Sequence, residues 1–227
     1  MGIKDAESLK QKISAQSYYP ELFSKAFGDS EVTTDRISMA IVSFIGSIST
    51  FNTRFDKYNM AKFNSFADDT IKGADLTPLE LEGMMLFQEK YDCNSCHQVQ
   101  SPNGYIFAGT FANIGLEKNY TDPGLSTVTG NPQDNGKFKI PSLRNVSYTA
   151  PYMHDGRFET LDEVIEHYSL GIEDNENLDS KLQDGTGHAR SMNISEHEKQ
   201  AIIAFLHTLD DDTLIKSQAF SNPFKIK

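Results

Sequence analysis

Cys93-Asn94-Ser95-Cys96-His97 is the stretch on which the reading of this chain turns. The spacing C-x-x-C-H is that of a c-type haem attachment site. Two thiols so placed can each form a thioether to a haem vinyl group. His97 is then held beneath the iron as its proximal ligand. The chain has 227 residues and two cysteines, so the motif uses every thiol present. The rival readings lack parts. A zinc site would want a second Cys or His pair at ligand spacing, and a thioredoxin-like pair would want βαβ surroundings. The flanks here read as helical. One covalently attached haem c is the expected cofactor.

Composition narrows the partners. The formal net charge is −11 and the isoelectric point is near 4.9. That argues against nucleic acid and suits a partner with positive patches, such as a small basic electron carrier. Acidity that serves solubility fits equally well. No apolar run is long enough to span a bilayer. Met1-Gly2-Ile3-Lys4-Asp5 lacks the apolar core of a signal peptide. Haem joins such motifs outside the bacterial inner membrane. A periplasmic location is therefore expected from haem chemistry, with the chain a mature form or a fragment.

The expected fold is all-α: a cytochrome c-like haem domain over 67–210, an N-terminal helical extension and linker over 1–66, and a C-terminal strap over 211–227. Residues 5–28 read as short helices broken at Pro20. Ile37, Ala40, Ile41, Phe44, Ile45 and Ile48 form one helical stripe over 34–49. Phe51, Phe55, Tyr58, Phe63 and Phe66 suggest an aromatic-rich linker. Thr77-Pro78-Leu79-Glu80 is a capping box with proline at the first helical position, and it opens the helix that runs into Cys93. Residues 98–158 show no sustained period and read as a long haem-wrapping loop, with Tyr105, Phe107, Phe111 and Phe138 as its apolar surface. Thr160-Leu161-Asp162-Glu163 and Ser195-Glu196-His197-Glu198 are two further capping boxes. The last helix carries Ala201, Ile202, Phe205, Leu206 and Leu209 on its inner side. No internal repeat is evident.

Several runs together resemble the bacterial dihaem cytochrome c peroxidases and their methylamine-utilisation (MauG-like) relatives. They are Phe138-Lys139-Ile140-Pro141-Ser142-Leu143-Arg144-Asn145, Thr149-Ala150-Pro151-Tyr152-Met153-His154-Asp155-Gly156, Thr160 to Tyr168, and Phe51-Asn52-Thr53-Arg54-Phe55-Asp56. Members of that family carry two C-x-x-C-H motifs, one for a peroxidatic haem and one for an electron-relay haem. This sequence has the second alone. The resemblance thus implies the electron-relay half, with the acid/base glutamate and the first haem's ligands lying upstream of Met1, so no catalytic residue is assigned.

Two residues compete for the far side of the iron. Tyr168 shares a helix face with Leu161, Val164 and Ile165, and by resemblance it occupies the distal-ligand position, filled by Met or Tyr in the family. A core tyrosine with a hydrogen-bonded hydroxyl is the alternative. Met192 lies in the loop before the last helix, where single-haem cytochromes c place their methionine. Met153 is a weaker candidate. The resemblance also places His154 near the relay haem, and it places the backbone carbonyls of Thr149 and Pro151 at a calcium ion between two domains. The side-chain ligand of that ion belongs to the absent half. Arg144 is the candidate partner of a haem propionate, since its planar fork matches a carboxylate. His167 falls off the inner stripe and reads as solvent-facing.

Three functions follow as alternatives. The first is an electron relay from a small cytochrome c or cupredoxin to a peroxidatic haem. The others are a single-haem peroxidase and a non-catalytic haem-binding module. A homodimer stays open.

Overall fold

The computed structural model describes residues 5–63, 75–99 and 110–222. Phe66, Tyr105 and Phe107 lie outside them. The chain separates into two units, Met1–Ser49 and Thr50–Lys227.

The first unit is three helices: α1 (Ala6–Ser14), α2 (Tyr19–Phe27) and α3 (Thr34–Ser47). Asp5 caps α1 through the Ser8 amide. Pro20 sits in the first turn of α2, where a missing N–H costs nothing. Thr33 caps α3 through the Arg36 amide. Within this unit the buried apolar side chains are Phe23 and Ile37.

The second unit opens with α4 (Arg54–Phe63), and α5 (Pro78–Met85) is its next described helix. The expected aromatic linker is thus largely helical. Phe55 of α4 is fully buried, its amide bonded to the Thr208 carbonyl at 3.0 Å and its ring edge-on to Phe205 at 5.3 Å. An aromatic that can reach a core will pack there, since burying it is worth about 1.5–3 kcal/mol. Thr77 and Glu80 form the expected capping box on α5.

A two-stranded antiparallel ladder follows, β1 (Phe111–Ala112) with β2 (Phe138–Lys139), and between them lies α6 (Ser126–Thr129). Then come α7 (Leu161–Leu170), α8 (Glu196–His207) and α9 (Asp212–Ile215). The capping boxes at Thr160 and Ser195 both form.

The core is the crossing of α5 and α8. Ala201, Ile202, Phe205, Leu206 and Leu209 are all buried, with Phe87 against Phe205 at 5.4 Å. Gly83 permits the close approach: a Cβ there would fall 1.8 Å from the Ala201 carbonyl oxygen. Lys199 ties α8 to α7 through Asp162 at 3.1 Å and Glu166 at 3.0 Å.

The long loop is organised by one buried side chain, Asn113, that no sequence pattern singles out. The Asn113 amide nitrogen donates to Asn135 O at 3.2 Å and Asn175 Oδ1 at 3.0 Å. Its oxygen accepts from the Gly115 amide at 2.9 Å and from the Tyr120 hydroxyl at 3.1 Å. A buried amide with all these contacts fixes a loop that has no ladder of its own. Gly136 closes the same cluster. It has φ +72, and a Cβ there would meet Tyr120 and Asn113 within 2.7 Å. Among the described residues no helix is long and apolar enough to cross a membrane.

Candidate haem site

The helix that begins at Pro78 does not run into Cys93 unbroken. It widens into a π-helical turn over Leu86–Lys90, and Asp92 takes the left-handed conformation (φ +54). Asp tolerates that region better than most residues. The chain then enters a tight 3-10 turn over Cys93–Ser95. The Cys96 and His97 amides both donate to the Cys93 carbonyl, at 3.2 and 2.9 Å. Residues three apart eclipse on such a turn, so Cys93 and Cys96 face the same side. Both are free thiols.

His97 is oriented by its far nitrogen. Nδ1 lies 3.1 Å from the Pro141 carbonyl oxygen. A carbonyl can only accept, so Nδ1 carries the proton and Nε2 presents a lone pair. Burial lowers the imidazole pKa, partly offset by the Pro141 bond, which keeps the ring neutral. A neutral imidazole held through its second nitrogen is the usual form of a metal-bound histidine.

Tyr168, on α7, faces the same space. Burial raises its phenol pKa, and Cys93 and Cys96 are the next causes, so its oxygen lies within electrostatic reach of both sulfurs. It makes no hydrogen bond to another described residue. Burial pushes the Cys93 thiol up to about 12. Cys93, His97 and Tyr168 are thus strongly desolvated, yet each keeps intermediate exposure.

The residues fit a c-type haem. Two unpaired thiols share one side of a turn, and the His97 Nε2 lone pair and the Tyr168 phenol oxygen have no hydrogen-bond partner among the described residues. Conversion of the thiols to thioethers would also remove the ionisable sulfurs that oppose a charged Tyr168.

Met192 is close by but engaged. Its amide donates to the Ser169 carbonyl at 2.9 Å, and its sulfur lies 3.7 Å from Arg190 Nη2. The same Arg190 nitrogen donates to the Tyr91 carbonyl at 3.0 Å. Met153 has positive φ in the loop after Pro151. His154 is exposed and stacks on Phe138 at 3.7 Å, with Tyr120 6.3 Å away. Phe111 is exposed in β1. Thr149 and Pro151 lie on the surface. Among the described residues no group of three or more His, Cys, Asp and Glu could hold a metal ion. A calcium ion would draw on their backbone carbonyls alone from this part of the chain.

Two expectations fail. Arg144 is not free for a propionate. It grips Asp56 through both ends of its fork (2.8 and 2.7 Å), donates to the Thr50 carbonyl at 2.6 Å and lies over the Phe51 ring. Burial alone would raise the Asp56 carboxyl, but the Arg144 and Thr53 hydrogen bonds outweigh it and hold the carboxyl below its ordinary value. A carboxylate within the chain won the fork that was expected to bind one on the cofactor. His167 is buried rather than solvent-facing. Its Nε2 lies 3.1 Å from the Ile114 carbonyl and its ring packs near Phe158 and Tyr168. The loop over α7 covers a face that helical periodicity alone leaves open.

Sequence reasoning also missed Lys181 and Arg190. Lys181 Nζ donates to the Ser95 carbonyl at 2.8 Å and lies 3.8 Å from Cys96 Sγ. Both arrive from a polar loop, 171–194, that carries no periodic signal.

Comparison with known proteins agrees with this geometry. A family model described as di-haem cytochrome c peroxidase matches residues 1–64. The cytochrome c551 peroxidase of Nitrosomonas europaea is 33% identical over 211 residues, covering 91% of this chain and 53% of its own. The methylamine utilization protein MauG of Methylophilus methylotrophus is 27% identical over 211 residues, covering 92% and 57%. A MauG-like protein associated with microbial copper homeostasis superposes with a TM-score of 0.71 at 31% identity, covering 97% of this chain and 66% of that one. The chain spans about half the length of the curated relatives it matches. Haem c is the cofactor of this group. By motif, fold and these likenesses, the chain belongs to the dihaem cytochrome c peroxidase and MauG-like family.

Proposed function

We propose that this chain is the electron-relay part of a peroxide-reducing dihaem system of the periplasm. It holds one haem c on Cys93 and Cys96, with His97 as proximal and Tyr168 as distal ligand. It takes electrons from a small cytochrome c or cupredoxin and passes them to a second, peroxidatic haem.

When bound, the haem supplies an iron centre that gains and loses single electrons. The chain's own residues do the rest. The 3-10 turn over Cys93–Ser95 would let Cys93 and Cys96 hold the haem by its two vinyl groups. Pro141 fixes the His97 tautomer and makes Nε2 a better donor. Tyr168 supports the relay reading over a peroxidase reading, because a residue across the iron leaves no open position for peroxide. Arg190 holds the Met192 sulfur, which favours Tyr168 of the two candidates. The observation that carries the reading is the His97 Nδ1 to Pro141 contact beside two free thiols.

The test is the ferric optical and EPR spectrum of the haem-loaded chain and of Tyr168→Phe. A six-coordinate wild type, unreactive to added hydrogen peroxide, and a changed spectrum in the variant are expected. Identical spectra would move the distal assignment to Met192. A high-spin wild type that turns over peroxide would favour the single-haem peroxidase.

A further inference from the structure

Four consecutive carbonyls of the long loop, 113–116, all accept from the stretch 157–179 that surrounds α7. In order, the donors are the Asp179 amide at 3.0 Å, His167 Nε2 at 3.1 Å, the Glu173 amide at 2.8 Å and Arg157 Nη1 at 3.1 Å. Gly115 seats the two stretches closely. It has φ +64, and a Cβ there would fall 2.6 Å from the Glu173 carbonyl oxygen. A segment whose carbonyls are all claimed in this way resists sliding, because any shift would strand buried acceptors.

Of these donors His167 alone belongs to α7. A carbonyl only accepts, so its Nε2 carries the proton. The next residue is Tyr168, and the two rings meet edge-on at 5.2 Å. The residue beyond Tyr168 is anchored as well. Ser169 is buried, and its hydroxyl oxygen accepts from the Ile194 amide at 2.9 Å. The core contacts of Leu161 and Ile165 and the ion pairs of Lys199 hold the earlier turns of α7. His167 and Ser169 hold the last one. Successive residues of an α-helix point about 100° apart, so two anchored neighbours leave the side chain between them one direction. Packing alone does not call for these residue types, since an apolar side chain would fill either place with no polar group to satisfy.

We infer that His167 and Ser169 are positioning residues: anchored to the Ile114 carbonyl and the Ile194 amide, they fix the rotation of the last turn of α7 and keep the Tyr168 phenol turned to the side of Cys93 and Cys96. The inference deepens the relay reading and rests on its assignment of Tyr168 across the iron. Release of either anchor lets the phenol turn away and opens the far side of a loaded haem to an added ligand.

The test uses the haem-loaded chain, with sodium azide as the probe of that far side. His167→Leu and Ser169→Ala should each gain a high-spin ferric signal in EPR and bind azide about tenfold more tightly than the wild type, because the open state is more populated. His167→Gln, whose amide can still donate to the Ile114 carbonyl, should keep the wild-type spectrum and azide affinity. A purely structural role predicts lower melting temperatures and no change in the other two readouts. Wild-type spectra and azide affinities in both anchor variants would therefore overturn the inference. So would a His167→Gln protein that behaves as His167→Leu does, or loss of all haem uptake in both anchor variants, which would make them folding residues. An effect confined to one variant would overturn the role of the other residue. Tyr168→Phe controls for the underlying reading. If it too keeps the wild-type spectrum, the distal assignment falls and the anchors with it. If it alone changes, only the anchors fall.

Discussion

The helices α3 and α8 share a pattern, Ala40-Ile41-Val42-Ser43-Phe44-Ile45 against Ala201-Ile202-Ile203-Ala204-Phe205-Leu206, yet that face is largely exposed in α3 and lies at the centre of a core in α8. Local sequence accounts for what they share. The shared pattern puts Ala, Ile and Phe at matching positions in both, and a Thr or Ser starts each helix. The difference comes from outside the helix. For α8 that element is the glycine-bearing α5, seated with Gly83 against Ala201. A periodic stripe therefore says that a helix has a core side, and whether a core is there depends on another element.

The contrast can be broken most sharply by truncating the shared phenylalanine. Phe205→Ala should cost about 3–5 kcal/mol of stability, because its ring touches both Phe55 and Phe87 and leaves a cavity. Phe44→Ala should change the stability of the chain by less than about 0.5 kcal/mol, as for an exposed site. Denaturant titration followed by circular dichroism measures both. Equal costs would mean that the Phe44 ring is packed as tightly as that of Phe205.

A smaller effect separates the two units by pH. In the second unit Glu198 is held down to about 2, first by Lys90 and then by the Ser195 cap, and it ties the turn before the haem motif to α8. Its folded value lies below its ordinary 4.5, so its contribution is full above that pH and is lost as pH falls toward 2. Because Lys90 is exposed, about 1 kcal/mol is expected. Glu198→Gln should flatten the acid dependence of the second unit's melting between those pH values. In the first unit, Asp29 is also held to about 2 by Arg36, but on the open surface. There, moderate salt should suppress the effect. An unchanged acid profile in the variant would remove Glu198 as its source.

Much of the fold was legible because its signals are local. Three capping boxes, at Thr77, Thr160 and Ser195, mark helix starts that all form. Cys93 to His97 specifies its own chemistry through spacing. The losses come where one residue has several long-range partners to choose from. Arg144 has a fork that suits any carboxylate, and Asp56, 88 positions away, took it. His167 is polar and off the stripe, yet a loop carbonyl from Ile114 buried it. Asn113, Lys181 and Arg190 lie in aperiodic loops, so no pattern announces that one organises the long loop and the others border the haem turn. Phe55 was read as linker because its partners, Phe205 and Thr208, lie about 150 residues further along the chain.

The account stands on covalent haem at the one pair of cysteines. Intact-mass spectrometry with a pyridine haemochrome spectrum, on protein made in a periplasm competent for c-type haem attachment, tests that directly. The mass of the chain plus one haem is expected, with a c-type spectrum that is lost when Cys93 and Cys96 are both changed to Ala. A bare-chain mass without a Soret band would contradict it.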